Sequence, residues 1–276
     1  MEALALHRFA TSDDLHRLVG GSKQGLTRRL QQLFHHSYLD RPPKQLALWS
    51  NGSRPLVYAL GDEGAKRLRE GGHEIVGERR SRYWSRKNLD VSSSHIHHTS
   101  TITSFYVALK TACEQRGVEL AWTPEGDVLR DRVRLPRTKK RGSINPDGFA
   151  HFRWKIPGKR RNRWAFIEID TGSEPNSRET AYGTDIETKM RSFWQWGFVE
   201  KRHQAKLSIP GFLVVFATTA GPRRIDNILA TAKKIDPKKR GASMFWAGHF
   251  TSTSDPAELL EPMWKTPDGA RHSLLE

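Results

Sequence analysis

The chain has 276 residues, with 46 Lys and Arg against 30 Asp and Glu, so its formal net charge is +16. This length predicts one large domain or two modest ones, and the 36% hydrophobic fraction is enough to build a core. The charge excess favours a polyanionic partner: nucleic acid is the first candidate, and an anionic membrane surface is the rival.

The membrane alternative lacks support in the sequence. No apolar run approaches the ~20 residues of a transmembrane helix, and no lipidation motif or basic amphipathic helix is present. The N-terminus does not resemble a signal peptide. The single cysteine, Cys113, has no partner for an internal disulfide and lies in an apolar helical pattern. We therefore expect a cytoplasmic protein without membrane insertion.

Residues 1–72 follow the order of a winged helix-turn-helix domain: three helices and then a hairpin. The run Thr11-Ser12-Asp13-Asp14 predicts the cap of the second helix, and Ser22 the cap of the third. Two short apolar runs, 46–50 and 55–60, flank Asn51-Gly52, which is a strong signal for a hairpin turn. This hairpin would be the wing, with Arg54 near its tip.

The third helix carries the residues that we expect to contact DNA. Leu26, Leu30 and Leu33 recur at helical spacing and would face inward. The residues on the other face or at its border are Gln24, Thr27, Arg28 and Gln31. Arg and Gln can read base edges in the major groove. A small helical domain with a solvated polar face is the alternative.

After this domain, residues 73–94 are polar and basic and predict a linker that follows phosphates. Residues 95–276 alternate helices and strands: a long helix from about residue 95, three strands, then helix, strand, helix and strand. A C-terminal appendage follows from residue 255. This order predicts an α/β domain, so that the whole chain is α+β.

The stretch 145–189 carries the chemistry. Side chains alternate along a strand, so Glu168 and Asp170 would share one face at a strand end, with Asp147 at the start of the neighbouring strand. Carboxylates brought together repel one another unless a cation lies between them. Three hard oxygen ligands suit Mg²⁺ or Mn²⁺.

These residues resemble the PD-(D/E)XK motif of restriction-type nucleases, with Pro146-Asp147 followed by Glu168-Ile169-Asp170. Asp170 occupies the position of the usual lysine, and Lys189 on the next helix is the candidate for a relocated one. With its domain order, the chain resembles the replication-relaxation family, in which a winged helix precedes a restriction-endonuclease-like fold. That family includes a class of plasmid relaxases.

The resemblance implies a sequence-specific DNA-binding protein that nicks or cleaves DNA with a divalent metal, as a relaxase or replication initiator of a plasmid or other mobile element. Asp147, Glu168, Asp170 and Lys189 would form the catalytic site, with Asp147 and Glu168 as the first-choice metal ligands. Asp170 would be either a further ligand, direct or through water, or the group that orients an attacking water. Its partners would be double-stranded origin DNA and other relaxosome or replication proteins. The alternative is a non-catalytic DNA-binding regulator or origin-binding factor with a degenerate nuclease fold, and the missing lysine after Glu168 supports it.

Two basic runs would hold the DNA backbone beside the metal site: 137–141, and the hairpin residues Lys159, Arg160, Arg161 and Arg163. A rival chemistry is that of HUH nickases, which need two histidines on one strand face and a tyrosine nucleophile. Here His95 and His97 fall in a helical pattern and would point about 160° apart. Tyr182 could be a nucleophile if cleavage proceeds through a covalent intermediate.

Overall fold

The computed structural model describes residues 1–48, 54–75, 83–125, 127, 129–136, 141–172, 185–238 and 240–276. The chain divides into two compact units, Met1–Val107 and Ala108–Glu276. The division falls within a long helix, Ser93–Gln115. We call the two parts the N-terminal unit and the C-terminal unit.

The N-terminal unit contains short helices and a small antiparallel sheet. Its helices are α1 (Glu2–Leu6), α2 (Ser12–Val19), α3 (Lys23–His35), α4 (Asp62–Glu70), α5 (Trp84–Asp90) and the first part of α6 (Ser93–Gln115). Its strands are β1 (Ala10–Thr11), β2 (Leu39–Asp40) and β3 (Val57–Leu60), in the spatial order β1-β3-β2.

The predicted helix starts in this unit agree with the structure. Thr11 and Asp14 form a reciprocal capping box at α2, and the Ser22 side chain accepts a hydrogen bond from Gly25 N at the start of α3. Leu30 is buried, while Leu26 and Leu33 are half-buried against the same core. Local hydrogen bonds and apolar spacing therefore account for both helices.

The predicted hairpin differs from the observed one. Pro43–Leu48 is a 3-10 helix, so the predicted strand over 46–50 is wrong as far as Leu48, and β2 pairs with β3 instead. The buried Gln45 side chain explains the difference: its amide accepts from Val57 N at 2.7 Å and donates to Val57 O at 3.1 Å. A side chain thus takes the place of a strand partner. Asn51-Gly52 lies outside the described residues.

Part of the predicted linker is folded. Trp84 of α5 is buried in the N-terminal core, and its backbone N–H donates to Asp62 Oδ1 at 2.7 Å. Asn88, one turn later, donates to Asp40 Oδ2 at 2.8 Å and to Leu60 O at 3.0 Å. Trp84 and Asn88 share one face at i,i+4 spacing, so a sequence of polar composition still presents a buried side. The bounds 1–72, 73–94 and 95–276 stay predictions.

The C-terminal unit is built on a large mixed sheet, which confirms the mixed α/β class. Its strands are β4 (Glu119–Pro124), β5 (Asp131–Arg134), β6 (Arg141–Ile144), β7 (Gly148–Ile156), β8 (Lys159–Asp170), β9 (Leu213–Thr218), β10 (Phe245–His249), β11 (Trp264–Lys265) and β12 (Arg271–His272). Its helices beyond α6 are α7 (Ile186–Phe193), the π-helical turn Trp194–Val199, α8 (Arg202–Leu207) and α9 (Pro222–Ile235).

The sheet runs in the order β12-β11-β10-β9-β8-β7-β4. The pairs β8/β9 and β9/β10 are parallel, and the other pairs in this sheet are antiparallel. The predicted C-terminal appendage therefore supplies the last two strands at one side of the sheet, β11 and the edge strand β12. Strands β5 and β6 form a separate hairpin that the sequence did not predict.

One face of β8 lies against α7 and the turn that follows it. The Phe166 ring packs on Phe193 of α7 at a centroid distance of 5.3 Å and edge-on to Trp196 at 5.9 Å. Because side chains alternate, Glu168 and Asp170 project from the same face of β8 as Phe166. The fold thus brings both carboxylates to the α7 side, at the strand end where parallel β9 also ends. Among the described helices, none is long and apolar enough to cross a membrane.

Candidate active site

Three buried carboxylates meet where β7 begins and β8 ends. Asp147, Glu168 and Asp170 are 6%, 2% and 5% exposed. Gly148 lies opposite Ile167 in the antiparallel β7/β8 pair, which brings Asp147 next to Glu168. The backbone fixes Asp147, because its N–H donates to Ile167 O at 3.0 Å and its Oδ2 accepts from Ile169 N at 2.6 Å. The three acids therefore lie at the same end of β7 and β8, and their role as metal ligands stays a prediction.

Glu168 faces the lysine that the sequence suggested. Lys189 Nζ lies 2.9 Å from Glu168 Oε2. Asp185 starts α7 by accepting from Thr188 N at 2.6 Å, and the buried Ile186 and Met190 set the rotation of the helix. This rotation leaves Lys189 at the edge of the core, where its side chain is 18% exposed against 3% for Glu168. Its catalytic role stays a prediction.

Asp170 has a different kind of partner. Arg224, in the first turn of α9, donates hydrogen bonds to both carboxylate oxygens, from Nε to Oδ2 at 2.7 Å and from Nη2 to Oδ1 at 2.8 Å. The Thr218 hydroxyl also donates to Oδ2 at 2.7 Å, and Gly172 N donates to Oδ1 at 3.2 Å. Burial acts to raise the pKa of Asp170, but the hydrogen bonds and the charge of Arg224 outweigh it and hold that pKa below its ordinary value.

Sequence reasoning missed Arg224 and Thr218. A signal for Arg224 does exist: Arg223 and Arg224 occupy the first turn of α9, where the helix dipole disfavours a positive charge. An arginine at that position needs an anionic partner. The sequence could not identify Asp170 as that partner, because the two residues are 54 positions apart.

The geometry reduces the number of carboxylates that we expect to bind the metal ion. Within the described ranges, no group of three or more His, Cys, Asp or Glu side chains is arranged to hold a metal ion. Asp170 is held by a guanidinium, which leaves Asp147 and Glu168 as the adjacent carboxylate pair. Such a pair suits Mg²⁺, which keeps several waters and takes one or two carboxylates together with substrate phosphates. Tyr182 lies outside the described residues.

A family model described as Replication-relaxation matches residues 1–203, which is most of the chain. The chain belongs to the replication-relaxation family. Membership points to a role in replication or relaxation and to a DNA-associated function. Neither a curated protein nor a solved structure gave a significant match. The matched region contains Asp147, Glu168, Asp170 and Lys189, whereas Thr218 and Arg224 follow it.

The basic hairpin of this family member lies at the other end of β8. Lys159, Arg160 and Arg161 are exposed, and the stretch from Arg160 to Glu168 spans about 26 Å at the usual rise of a strand. The extended strand β8 therefore separates the hairpin from the acids. That the hairpin holds the DNA backbone stays a prediction.

Arg163 differs from its three neighbours. Its guanidinium is half-buried and donates to Ser273 O at 3.1 Å and to Glu276 O at 2.6 Å. It also lies over the Trp246 ring, 5.4 Å from the centroid. These contacts tie β8 to the C-terminal residues of the chain. Of the second basic run, residues 137–140 lie outside the described residues.

In the N-terminal unit, α3 has a largely solvent-facing surface. The residues predicted to contact DNA on it are all exposed: Gln24, Thr27, Arg28 and Gln31. The Thr27 hydroxyl donates to Lys23 O within the same helix at 2.8 Å. Arg54 is exposed just before β3. Their contact with DNA stays a prediction.

The histidines that raised the HUH alternative lie on α6, as expected from the helical pattern. His95 Nε2 is 3.0 Å from Arg8 Nη1. Burial, together with the Arg8 charge, lowers the pKa of His95. An arginine on this imidazole occupies the place that a metal ion would need, so the arrangement does not fit a histidine metal pair.

Proposed function

We propose that this protein binds origin DNA of a plasmid or other mobile element through its N-terminal unit. Its C-terminal unit would then nick that DNA with Mg²⁺ or Mn²⁺, as a relaxase or replication initiator. The observation that carries the proposal is the buried pair Asp147 and Glu168 with the Lys189 ammonium 2.9 Å from Glu168. Carboxylate and ammonium groups are almost never fully buried unless they are paired. Here they lie together at one end of the strands.

DNA recognition would follow the winged helix-turn-helix pattern. The order α1, β1, α2, α3, β2, β3 and the sheet order β1-β3-β2 support this proposal. The exposed α3 would enter the major groove and present Gln24, Arg28 and Gln31 to base edges. Thr27, at the border of that face, would contact the DNA backbone. Arg54 would contact the DNA from the wing.

At the acidic edge, Asp147 and Glu168 would hold the metal ion. A divalent ion polarises a scissile phosphate and lowers the pKa of its bound water. Lys189 would donate from its ammonium to a phosphate oxygen and stabilise the added negative charge. Asp170 would position the end of β8 through Arg224, in place of the ligand role expected from the sequence. The backbone bond from Ile169 would keep the Asp147 carboxylate aimed at the site.

A second function is favoured by a specific feature of the same site. Lys189 already neutralises Glu168, and Asp170 is fully engaged by Arg224 and Thr218. A nuclease fold stabilised by such ion pairs could serve a DNA-binding regulator or origin-binding factor that does not cut.

A nicking assay decides between the two functions. Supercoiled plasmid carrying the cognate origin is incubated with the purified chain and Mg²⁺ or Mn²⁺, and with EDTA as the control. The nuclease proposal expects open-circular plasmid that appears only with the metal. Tight binding to the origin without any metal-dependent nicking would favour the regulator.

A further inference from the structure

The sheet face that carries the acids continues toward the basic hairpin as an exposed surface. In β7 and β8, His151 lies opposite Trp164, Arg153 opposite Asn162, and Lys155 opposite Arg160. Directly opposed residues of antiparallel strands project from the same face. By alternation this is the face of Phe166 and Glu168. We call His151, Arg153, Lys155, Arg160, Asn162 and Trp164 the hairpin face.

The core ends between two neighbouring cross-strand pairs on this face. Phe149 and Phe166 are in ring contact at 4.9 Å, and Phe166 is fully buried in the core. One pair further along, His151 and Trp164 are only partly covered, and Ala121 of the edge strand β4, opposite His151, is exposed. All four side chains beyond that pair are exposed. The hairpin face is therefore solvent-facing sheet, beginning with two aromatic rings.

The two rings are held flat against each other. Their centroids are 4.9 Å apart and their planes differ by 19°. His151 Nε2 is 3.1 Å from Asn162 Oδ1, a hydrogen bond that fixes the imidazole orientation. Trp164 could simply seal the edge of the core, but that role does not account for a second ring stacked on it and anchored from the next pair.

The charges around the rings are mostly positive. Arg153, Lys155 and Arg160 project from the same face, and the acid that pairs with Arg153 across the strands is Glu119. Flat rings beside a track of cations match the chemistry of an unpaired nucleotide: rings stack on the base, and cations bind the phosphates. In duplex DNA the base faces are already stacked within the helix.

We infer that the hairpin face binds single-stranded DNA, with a base stacked on the Trp164–His151 pair and the phosphates following Lys155 and Arg160. This deepens the proposed function and rests on it, because a nick frees a strand end. Trp164 lies about 13 Å along β8 from Glu168 at the usual strand rise, so a strand leaving the acidic edge would reach the rings within a short distance.

The test is the binding of a fluorescent oligothymidine and of a duplex of equal length, measured by anisotropy in EDTA on the full chain. Trp164→Leu and, separately, His151→Ala should weaken oligothymidine binding by roughly 5-fold to 100-fold, as expected for losing one stacked base. Duplex binding should stay within error. Thermal melts identify a variant that fails to fold, and His151→Ala keeps the test valid if Trp164→Leu does.

Trp154→Leu is the matched control, since Trp154 lies on the same hairpin, pairs with Arg161 and projects from the opposite face. It should leave oligothymidine binding unchanged. An equal loss with Trp154→Leu, an equal loss on duplex, or no loss with either ring variant would overturn the inference. Because EDTA prevents cleavage, this result is independent of the nicking assay, so failure of the nuclease and failure of the hairpin face are distinguishable.

Discussion

Two buried aspartates, one in each unit, have pKa values shifted in opposite directions, although burial acts on both in the same way. Asp14 in the N-terminal unit is 2% exposed and accepts hydrogen bonds from the hydroxyls of Thr11 and Ser104. Burial outweighs these bonds and raises its pKa. Asp170 in the C-terminal unit is 5% exposed, and the guanidinium of Arg224 holds its pKa low.

The difference separates two uses of buried polar groups. Hydroxyl partners can hold a carboxyl group in place without lowering its pKa below the ordinary value, and Asp14 joins α2 to α6 in this way. Cationic partners preserve charge inside the protein, at a cost in desolvation that a hydrophobic pair would avoid. The C-terminal unit has two such ion pairs, and their acids, Glu168 and Asp170, are two residues apart on β8. Buried ion pairs of this kind are expected at a site that needs charge for chemistry.

The largest expected effect is on cleavage. Asp147→Asn or Glu168→Gln keeps the shape of the side chain and removes its charge. Either change should reduce nicking of supercoiled plasmid by ~100-fold or more, a loss typical of removing one group that stabilises transition-state charge. Glu119→Gln, a carboxylate on edge strand β4 of the same sheet, is the control and should nick normally. Full activity in both acid variants would place the chemistry elsewhere.

The next effect is on stability. Arg224→Ala leaves Asp170 charged and buried, so the free energy of unfolding of the C-terminal unit should fall by ~3–5 kcal/mol. Lys189→Ala should cost less, because a lysine makes one contact where the arginine makes two. Urea titration followed by tryptophan fluorescence measures both. Equal losses would mean that the two pairs are the same kind of structural contact.

A pH effect on stability is expected from His7 in the N-terminal unit. Burial lowers the pKa of His7 to about 4, so between the ordinary value of 6.5 and about 4 the unfolded state binds more protons than the folded one. Stability should therefore fall as the pH drops through that window, by about 3 kcal/mol in full. His7→Phe should remove this loss, and His35→Phe, at an exposed position, should not. Thermal melts from pH 7 to pH 4 provide the measurement, and identical profiles for wild type and His7→Phe would contradict it.

Arg28→Ala tests recognition by the N-terminal unit. If Arg28 pairs with a guanine, its loss should weaken binding to the cognate duplex by about 1–3 kcal/mol and spare random duplex. Competition binding with both duplexes measures the difference. Equal losses on the two would show that Arg28 contacts only phosphate.

The smallest effect concerns the exposed hairpin. Substituting Lys159, Arg160 or Arg161 by Gln should reduce the slope of the log binding constant for oligothymidine against log salt by ~0.7 for each lost phosphate contact. Arg163→Gln should leave the slope unchanged, because that guanidinium is held by the carbonyl oxygens of Ser273 and Glu276. A slope that changes with Arg163 and not with its neighbours would reverse this assignment.

Local features of the fold were predictable, and long-range ones were not. The capping box of Thr11 and the leucine spacing of α3 lie within one helix and are visible in sequence, as is the alternation that unites Glu168 and Asp170. Gln45 replaces a strand by bonding across 12 residues, and Arg224 reaches Asp170 across 54. Such partners depend on how elements meet in space, which periodicity does not encode. The lysine was found because α7 has a clear buried face.

The assignment of Asp147 and Glu168 as the metal-holding pair is tested most directly by calorimetric titration of Mn²⁺ into four proteins. These are the wild type, Asp147→Asn, Glu168→Gln and Asp170→Asn. The account predicts one site in the wild type, none in the first two variants, and a retained site in Asp170→Asn, since Asp170 is engaged by Arg224. A site that survives Glu168→Gln, or one that is lost only with Asp170→Asn, would contradict it.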